Sequence, residues 1–587
     1  MFRVHFCPQL TRSQLDLSRV RHDHRDFAHK LNFRHIMFKS KLFHVDRRLV
    51  IVLLIASLNF GIGINWGLPR AVNPETVAPW ELDSVAPLQP LNEAYYRFTR
   101  SGQVPVYPLF HFVLLDLVYA PYLAFQFVSG NLEKPSSTFP YGLKDPAVSC
   151  RNLTLLARLL SLLMGLGVII TIYKISKELF SAKAGIWSAL MTSLLAPMTY
   201  YSKMSNLDVP YIFWSSLAFL EYVRIISSQR LRHYICFGAC AALAVATKDQ
   251  AYGFFVLAPL VILYSLAQQK TGRVTSTGVL GALGSRRILL SLAVAVMVYA
   301  LANNLVLGGW QGFRRHVTFI TGPASKPWRM FPSTFEGQIS MISYSTELLI
   351  EIFGYGSLFL AIGGICLAIR NQNWRAIALL FFPLSYFIFF FGMVGMVHPR
   401  YLLGPSIILT PFAGSLIADL LTRSRMVRLL AMSSVVASLS WQEALTANLT
   451  MTLIKDSRYQ TEKWIMANIP SGSTIESQVS HERLLPHLSG AYLVYLKGQD
   501  EGGRPIPADL SAEALRKRSP QYLLLGSFGF SGDPENWQDD QSIKYRSDLI
   551  GGKLGYKQLA KFETPYFLGS RLIVGTRPTF VLFGRID

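Results

Sequence analysis

TLLARLLSLLMGLGVIITIY (154–173) is twenty residues long and carries a single charge, Arg158, with Lys174 and Lys177 directly after it. About 20 predominantly apolar residues in helical form cross the roughly 30 Å hydrocarbon layer of a bilayer, so this stretch predicts a membrane helix. Similar apolar windows fall near 49–64, 105–128, 186–200, 210–226, 235–247, 251–267, 288–308, 353–369, 376–397, 401–422 and 429–444. With 154–173 they make about twelve candidates. The expected fold is therefore mainly α, a polytopic helix bundle of about 11–13 spans.

Composition agrees over the whole 587 residues: 51% are hydrophobic, only 16% are charged, and the mean hydropathy is +0.30. A soluble chain carries about 25% charged residues. The net charge of +22 would in a soluble protein point to nucleic acid. Here the basic residues sit mainly in short loops between apolar runs, so they read as positive-inside bias and contact with anionic membrane lipids, and nucleic acid is not an expected partner. Cys7, Cys150, Cys236, Cys240 and Cys366 are scattered without a CxxC pair, which implies neither a disulfide framework nor a thiolate zinc site.

Orientation follows from the loops. Lys174/Lys177/Lys183, Arg230/Arg232, Lys270/Arg273/Arg286/Arg287, Arg370/Arg375 and Arg423/Arg425/Arg428 mark alternate connections, expected on the cytoplasmic side. Segments near 201–209, 247–250, 309–345 and 397–400 then face outside, as does everything after 445. Carried back to a cytoplasmic N-terminus, the alternation leaves one crossing too many. Either 105–128, with Pro105, Pro108, Asp116 and Pro121, does not fully span, or a helix is missing from the count.

Three regions are expected. Residues 1–48, with eleven Lys/Arg and six His, form a basic cytoplasmic tail expected to be disordered. Residues 49–449 form the membrane domain with a long first outer loop at 65–104. Residues 450–587 change pattern: a helical stretch at 456–470, then short apolar or alternating runs such as QYLLLG (521–526) and TFVLFGR (579–585) between Gly/Pro/Asp-rich turns. That reads as a small extracytoplasmic α/β domain.

The first outer loop carries PWELDSVAP (79–87), with Glu81 and Asp83 two residues apart. A carboxylate fixed just above the membrane can serve as a general base toward a hydroxyl, an effect of about 10²–10⁴ in rate; the bland alternative is an acid that merely solvates a loop end. Asp208 in YYSKMSNLDVPYIFW (200–214) lies on the same expected side before a membrane helix, where an Asp is commonly an N-cap. Basic groups collect there too: Lys203, Lys248 in ATKDQ (246–250), Arg314, Arg315, Arg329, and His398, Arg400 and Tyr401 of HPRY (398–401). Each alone fits a snorkelling helix-end residue, but their shared side favours an anionic phosphate or diphosphate group. SHERLLPH (480–487) has its second His six residues after the first rather than four, so it is no zinc-protease helix. No P-loop or dinucleotide fingerprint is present.

The order of WGLP (66–69), WELDS (80–84), YPLFHF (107–112), ARLLSLLMGLGVIITIYKISKELFSAKAG (157–185), YYSKMSNLDVPYIFW, GACAALAVATKDQAYGFF (238–255), HPRYLLGPSIILTPFAG (398–414), DSRY (456–459) and the RPTFVLFGR ending (577–585) resembles bacterial membrane glycosyltransferases of the GT-C superfold. The likeness is to the family 39 kind, related to protein O-mannosyltransferases and the aminoarabinose transferase of lipid A. It implies a polyprenyl-phosphate sugar donor, an extracytoplasmic acceptor (lipid, glycan or protein), inversion at the anomeric carbon, and residence in the cell membrane.

The resemblance places the base at Asp83 and matches Asp208 to the acid of the second outer loop. The family's adjacent Asp-Glu pair reads Asp83-Ser84 here, preceded by Glu81, which leaves open whether Glu81 takes a supporting or metal-binding part. Lys203, Lys248, Arg329, His398 and Arg400 are the expected donor-phosphate ligands, and Tyr107, His111 and Tyr401 the expected lining of the pocket. A divalent metal ion could share the charge work, although the sequence offers no ligand set for it. A polytopic transporter or flippase for a lipid-linked or anionic substrate is the competing expectation, kept open by the intramembrane acids Asp116 and Glu351.

Overall fold

A computed structural model describes residues 46–99, 107–271, 281–306, 309–321, 329–478, 482–488, 492–495, 498–499, 505–506, 511–527, 540–569, 572 and 576–586. Residues 1–45, and with them the expectation for the basic tail, lie outside the described residues.

All twelve apolar windows are helical over most of their length. Seven helices among the described residues are long and apolar enough to cross a membrane: Phe110–Val128, Pro146–Leu179, Asp208–Ser228, Asp249–Gln268, Phe335–Arg370, Trp374–Val394 and Pro399–Leu420. The other windows form helices that are shorter or more polar, at Arg47–Gly61, Ala182–Leu194 with Ala196–Ser202, Leu231–Thr247, Arg286–Ala302 and Arg425–Ile454. The opening stretch belongs to a 34-residue helix, started by Pro146 and by the Asp145 carboxylate accepting from Val148 N at 2.9 Å. At 1.5 Å per residue it is about 51 Å long, well beyond the thickness of the hydrocarbon layer.

Two expectations about the helix count change. Phe110–Val128 runs unbroken through Pro121 for 19 residues, about 28 Å, and so is long enough to cross. The segment 309–345, expected as an outer loop, instead contains the amphipathic helix Trp310–Thr321 and the first part of Phe335–Arg370. That 36-residue helix bends at Gly354, whose φ of 69° lies in the left-handed region open to glycine. The apolar windows missed its N-terminal half because Glu336, Glu347 and Glu351 break the hydropathy there.

The helices are inside-out by the standard of a soluble bundle. Mid-helix residues such as Leu163, Leu292, Val296 and Phe359 are more than half exposed, whereas hydroxyl pairs lie buried between helices: Ser188 to Ser176 at 2.9 Å and Thr192 with Thr410 at 2.9 Å. Lipid contact outside, with small polar residues inside, is how membrane helices associate.

After Ile454 a five-stranded mixed sheet forms in the order Leu493–Tyr495, Thr474–Gln478, Tyr522–Ser527, Thr579–Arg585, Tyr556–Glu563. Its first three strands are parallel and its last two pair antiparallel. Leu524, Phe580 and Leu582 face Ile465 and Ile469 of the helix Ser457–Asn468, while Leu523, Leu525 and Phe583 face Leu515, Tyr545 and Leu549 on the other side. Both faces are covered, which is why QYLLLG is an unbroken apolar run rather than an alternating one.

Candidate functional site

The acidic loop is fixed before it reaches the site. Arg158, fully buried, donates from Nη1 to the carbonyls of Ile64 (2.5 Å) and Trp66 (2.7 Å) and so closes the turn after the first helix. Gly67 follows with φ +56°, and a Cβ there would lie 2.7 Å from Trp80 Cβ. The WGLP motif therefore needs its glycine so that Trp80 can pack against it. Trp80 is 1% exposed, with Arg458 4.4 Å above its ring and Tyr459 and His487 at 4.7 and 5.2 Å between centroids.

From Trp80 onward the loop faces two ways. Trp80 and Leu82 pack against the C-terminal domain, Leu82 beside the Ile465/Leu484/Leu485 cluster. Asp83 turns toward Arg400, and Glu81 lies within electrostatic reach of both Arg400 and Arg483. Val85 then joins the second loop: its N–H donates to Ser205 O at 2.6 Å, and its side chain packs with Leu109, Phe112 and Leu207.

Two ion pairs meet at Tyr401. Asp83 pairs with Arg400, and Asp208 accepts from Lys248 Nζ at 2.7 Å with its carboxylate 1% exposed. The Arg400 guanidinium lies 5.0 Å and the Lys248 ammonium 5.6 Å from the Tyr401 ring centroid. His398 stands edge-on to the same ring at 5.5 Å. Lys248 also lies 5.7 Å from the Tyr211 ring. The break that aims Lys248 is local: the helix Leu231–Thr247 ends there in extended backbone, and a short 3-10 turn, Asp249–Ala251, restarts the chain.

Asp208 is the first residue of its helix, not the cap. Leu207 holds the cap position without a side-chain hydrogen bond, and the Asp208 carboxylate turns to Lys248 and to Asn206 Nδ2 at 3.2 Å. One of the two cations keeps an unpaired donor: Arg400 Nε is buried without a hydrogen-bond partner. An anion placed between Lys248 and Arg400 would supply the acceptor.

The acids differ in access. Glu81 is 6% exposed and burial raises its carboxyl above the ordinary range, against the opposing pull of Ser84, Arg400 and Arg483. Asp208 is sealed in its ion pair. The Asp83 side chain is 35% exposed, which makes it the most accessible of the three. Burial lowers the Lys248 ammonium's pKa, but Asp208 with Tyr107, Tyr401 and Tyr211 outweighs this and the group is raised, hence firmly cationic. Burial and then Lys248 lower His398, which favours the neutral ring. Tyr107 lies within electrostatic reach of Lys248 and Asp208, and burial raises its phenol.

Two expected phosphate ligands are already engaged by backbone carbonyls, and the expected pocket residue His111 lies buried in its helix. Lys203 is fully buried and donates to Ile62 O at 2.7 Å and Thr450 Oγ1 at 3.4 Å; burial lowers it to about 7. It ties the second loop to the first helix's end rather than joining the Tyr401 group. Arg329 donates to Met393 O at 2.5 Å and Phe331 O at 3.3 Å and so braces the Gly395 turn. His111 is 1% exposed within the helix Phe110–Val128, and its Nδ1 has no hydrogen-bond partner. Among the described residues no three His, Cys, Asp or Glu side chains group closely enough to hold a metal ion.

Sequence reasoning missed Asn206, Gln250, Tyr211 and the C-terminal residues Arg458, Arg483 and His487. Two of the last three stand in SHERLLPH, a motif whose only sequence signal was a wrong zinc spacing.

Residues 151–300 match the model of the dolichyl-phosphate-mannose-protein mannosyltransferase family. That stretch includes Asp208, Lys203 and Lys248. No curated protein matches the chain. Among solved structures, ArnT from Cupriavidus metallidurans in the apo state is similar at 14% identity and TM-score 0.48, covering 92% of this chain and 97% of that one. An Archaeoglobus fulgidus oligosaccharyltransferase is similar at 11% identity and TM-score 0.42, covering 81% and 67%. The arabinofuranosyltransferase AftD from Mycobacteria is similar at 15% identity and TM-score 0.37, covering 92% and 40%. At 11–15% identity the likeness assigns no residue a role.

Proposed function

We propose that the chain is an integral membrane glycosyltransferase that moves a sugar from a polyprenyl-phosphate donor to a hydroxyl of an extracytoplasmic acceptor, with inversion. The observation that carries this reading is the meeting of Asp83–Arg400 and Asp208–Lys248 at the Tyr401 ring. The four charged groups come from four separate segments, and two of them are cations, one of which keeps a buried unpaired donor, Arg400 Nε. The match of 151–300 to a mannosyltransferase family model supports the same reaction class.

In this reading Lys248 and Arg400 bind the donor phosphate, His398 and Tyr401 border it, and Tyr107 lines the pocket. Asp83 takes the acceptor proton while the acceptor oxygen bonds to the anomeric carbon. The bond from that carbon to the phosphate oxygen breaks, and its electron pair leaves with the polyprenyl phosphate. That leaving group is good without protonation, so the site needs a base and cations more than a general acid. Asp208 holds Lys248 in place.

The test is sugar release from a panel of polyprenyl-phosphate sugars by the purified protein in lipid, comparing the unaltered chain with Asp83→Asn. Turnover that disappears in the variant while donor binding persists supports the reading. Turnover that survives moves the base away from Asp83, and binding without turnover across donors and acceptors favours the transporter.

A further inference from the structure

Beyond the packing on Trp80, the C-terminal domain holds the backbone of the acidic loop through Arg483. Arg483 Nη1 lies 3.3 Å from Glu81 O, 3.0 Å from Leu82 O and 2.6 Å from Ser84 O. Three carbonyls converging on one guanidinium nitrogen define the path of the chain on both sides of Asp83. Between these fixed points stands Asp83, whose side chain reaches Arg400.

Arg483 is itself anchored. It sits in the short turn Glu482–Leu484, and Leu484 and Leu485 are buried in the domain's core, where Leu82 also packs. Arg458 Nη1 donates to Arg483 O at 3.4 Å, while its guanidinium chelates Asp456 (2.9 and 2.6 Å) and covers Trp80. His487, four residues on, packs against Trp80, and its N–H donates to Glu462 at 2.6 Å.

We propose that Arg483 is a positioning residue for the transferase reaction, holding the 81–84 backbone so that the Asp83 carboxylate faces Arg400 and the donor site. The C-terminal domain is thereby a working part of the active site rather than an appendage. This rests on the glycosyltransferase reading for its catalytic consequence and on the geometry alone for the clamp.

The reason to expect an effect on turnover is reach. A displacement of about 1 Å in a group that must meet a reacting atom costs about 10²-fold, and the carbonyl clamp lies within two residues of Asp83. Neutral replacement removes the cation without touching any group that contacts donor or acceptor.

The test uses the full chain in lipid. Arg483→Gln is expected to lower kcat by about 10–100-fold while the donor KM changes less than about threefold, with Arg483→Lys recovering part of the loss because its ammonium can still meet the carbonyls. Amide hydrogen exchange over 79–87 is expected to quicken in Arg483→Gln and not elsewhere in the membrane domain. Unchanged exchange in this segment overturns the clamp. Quickened exchange with unchanged kcat overturns the positioning role, as does a joint loss of kcat, donor affinity and Tm that Arg483→Lys does not relieve. Should the unaltered chain turn over no donor, the function reading fails, and exchange alone decides the clamp.

Discussion

Lys248 Nζ lies 2.7 Å from the Asp208 carboxylate, both side chains at most 10% exposed, across forty residues of chain. A buried pair of this kind is costly to break from one side because the remaining charge stays desolvated.

Asp208→Asn or Lys248→Met alone should therefore cost about 3–5 kcal/mol, read as a lower Tm of the purified protein in detergent. The joint variant should regain most of that stability and no activity. A joint variant as unstable as either single one would mean that the pair is not coupled.

Asp83→Asn and Glu81→Gln should part company. Loss of a general base lowers kcat by about 10²–10⁴-fold, whereas Glu81 is buried and inclined to keep its proton, so the amide should cost far less. Single-turnover kinetics with one polyprenyl-phosphate sugar separates them, and equal losses would make Glu81 a partner in the base.

The junction of the loop and the C-terminal domain should respond to pH on both sides. Burial lowers His487 to about 3, with Arg458 and Arg70 adding to the effect, so its stabilisation is complete above its ordinary 6.5 and is lost as pH falls toward 3. Burial raises Glu462 to about 7 against the pull of Arg70, 2.5 Å away. The folded state then binds more protons than the unfolded one between 4.5 and 7, and stability falls as pH rises through that window. The slopes oppose between 4.5 and 6.5. Glu462→Gln should leave only the rise from acid to neutral pH in a Tm series, and a variant curve parallel to the parent's would refute the assignment.

Gly67→Ala places a methyl 2.7 Å from Trp80 Cβ in a left-handed backbone conformation. The expected loss is more than about 1 kcal/mol, with turnover falling as Trp80 shifts. An unchanged Tm would show that Trp80 can yield.

Much of this was written in local sequence. The twelve windows became helices because hydropathy is a local signal, and the C-terminal α/β pattern followed from short apolar runs between turn residues. Asp83, Asp208, Lys248 and Arg400 stand out in the sequence by charge and place, with Tyr401 beside Arg400, and the fold brings these five together. What hydropathy could not show was direction. Lys203 and Arg329 are as basic as Lys248, but backbone carbonyls at Ile62 and Met393 take their donors, and no one-dimensional pattern marks a carbonyl as available. Arg483 was hidden for the opposite reason: it meets the backbone carbonyls of Glu81, Leu82 and Ser84, groups every residue possesses, and no side-chain pattern signals a carbonyl contact.

The clamp joins residues 399 positions apart, and this sets an order on assembly. At about 5–20 residues per second, the acidic loop is made about 20–80 s before Arg483 exists. During that interval Trp80 lacks its covering partners and Asp83 lacks one support of its backbone. In the proposed reading, a chain ended before Arg483 can embed its helices in the bilayer without owning a finished centre.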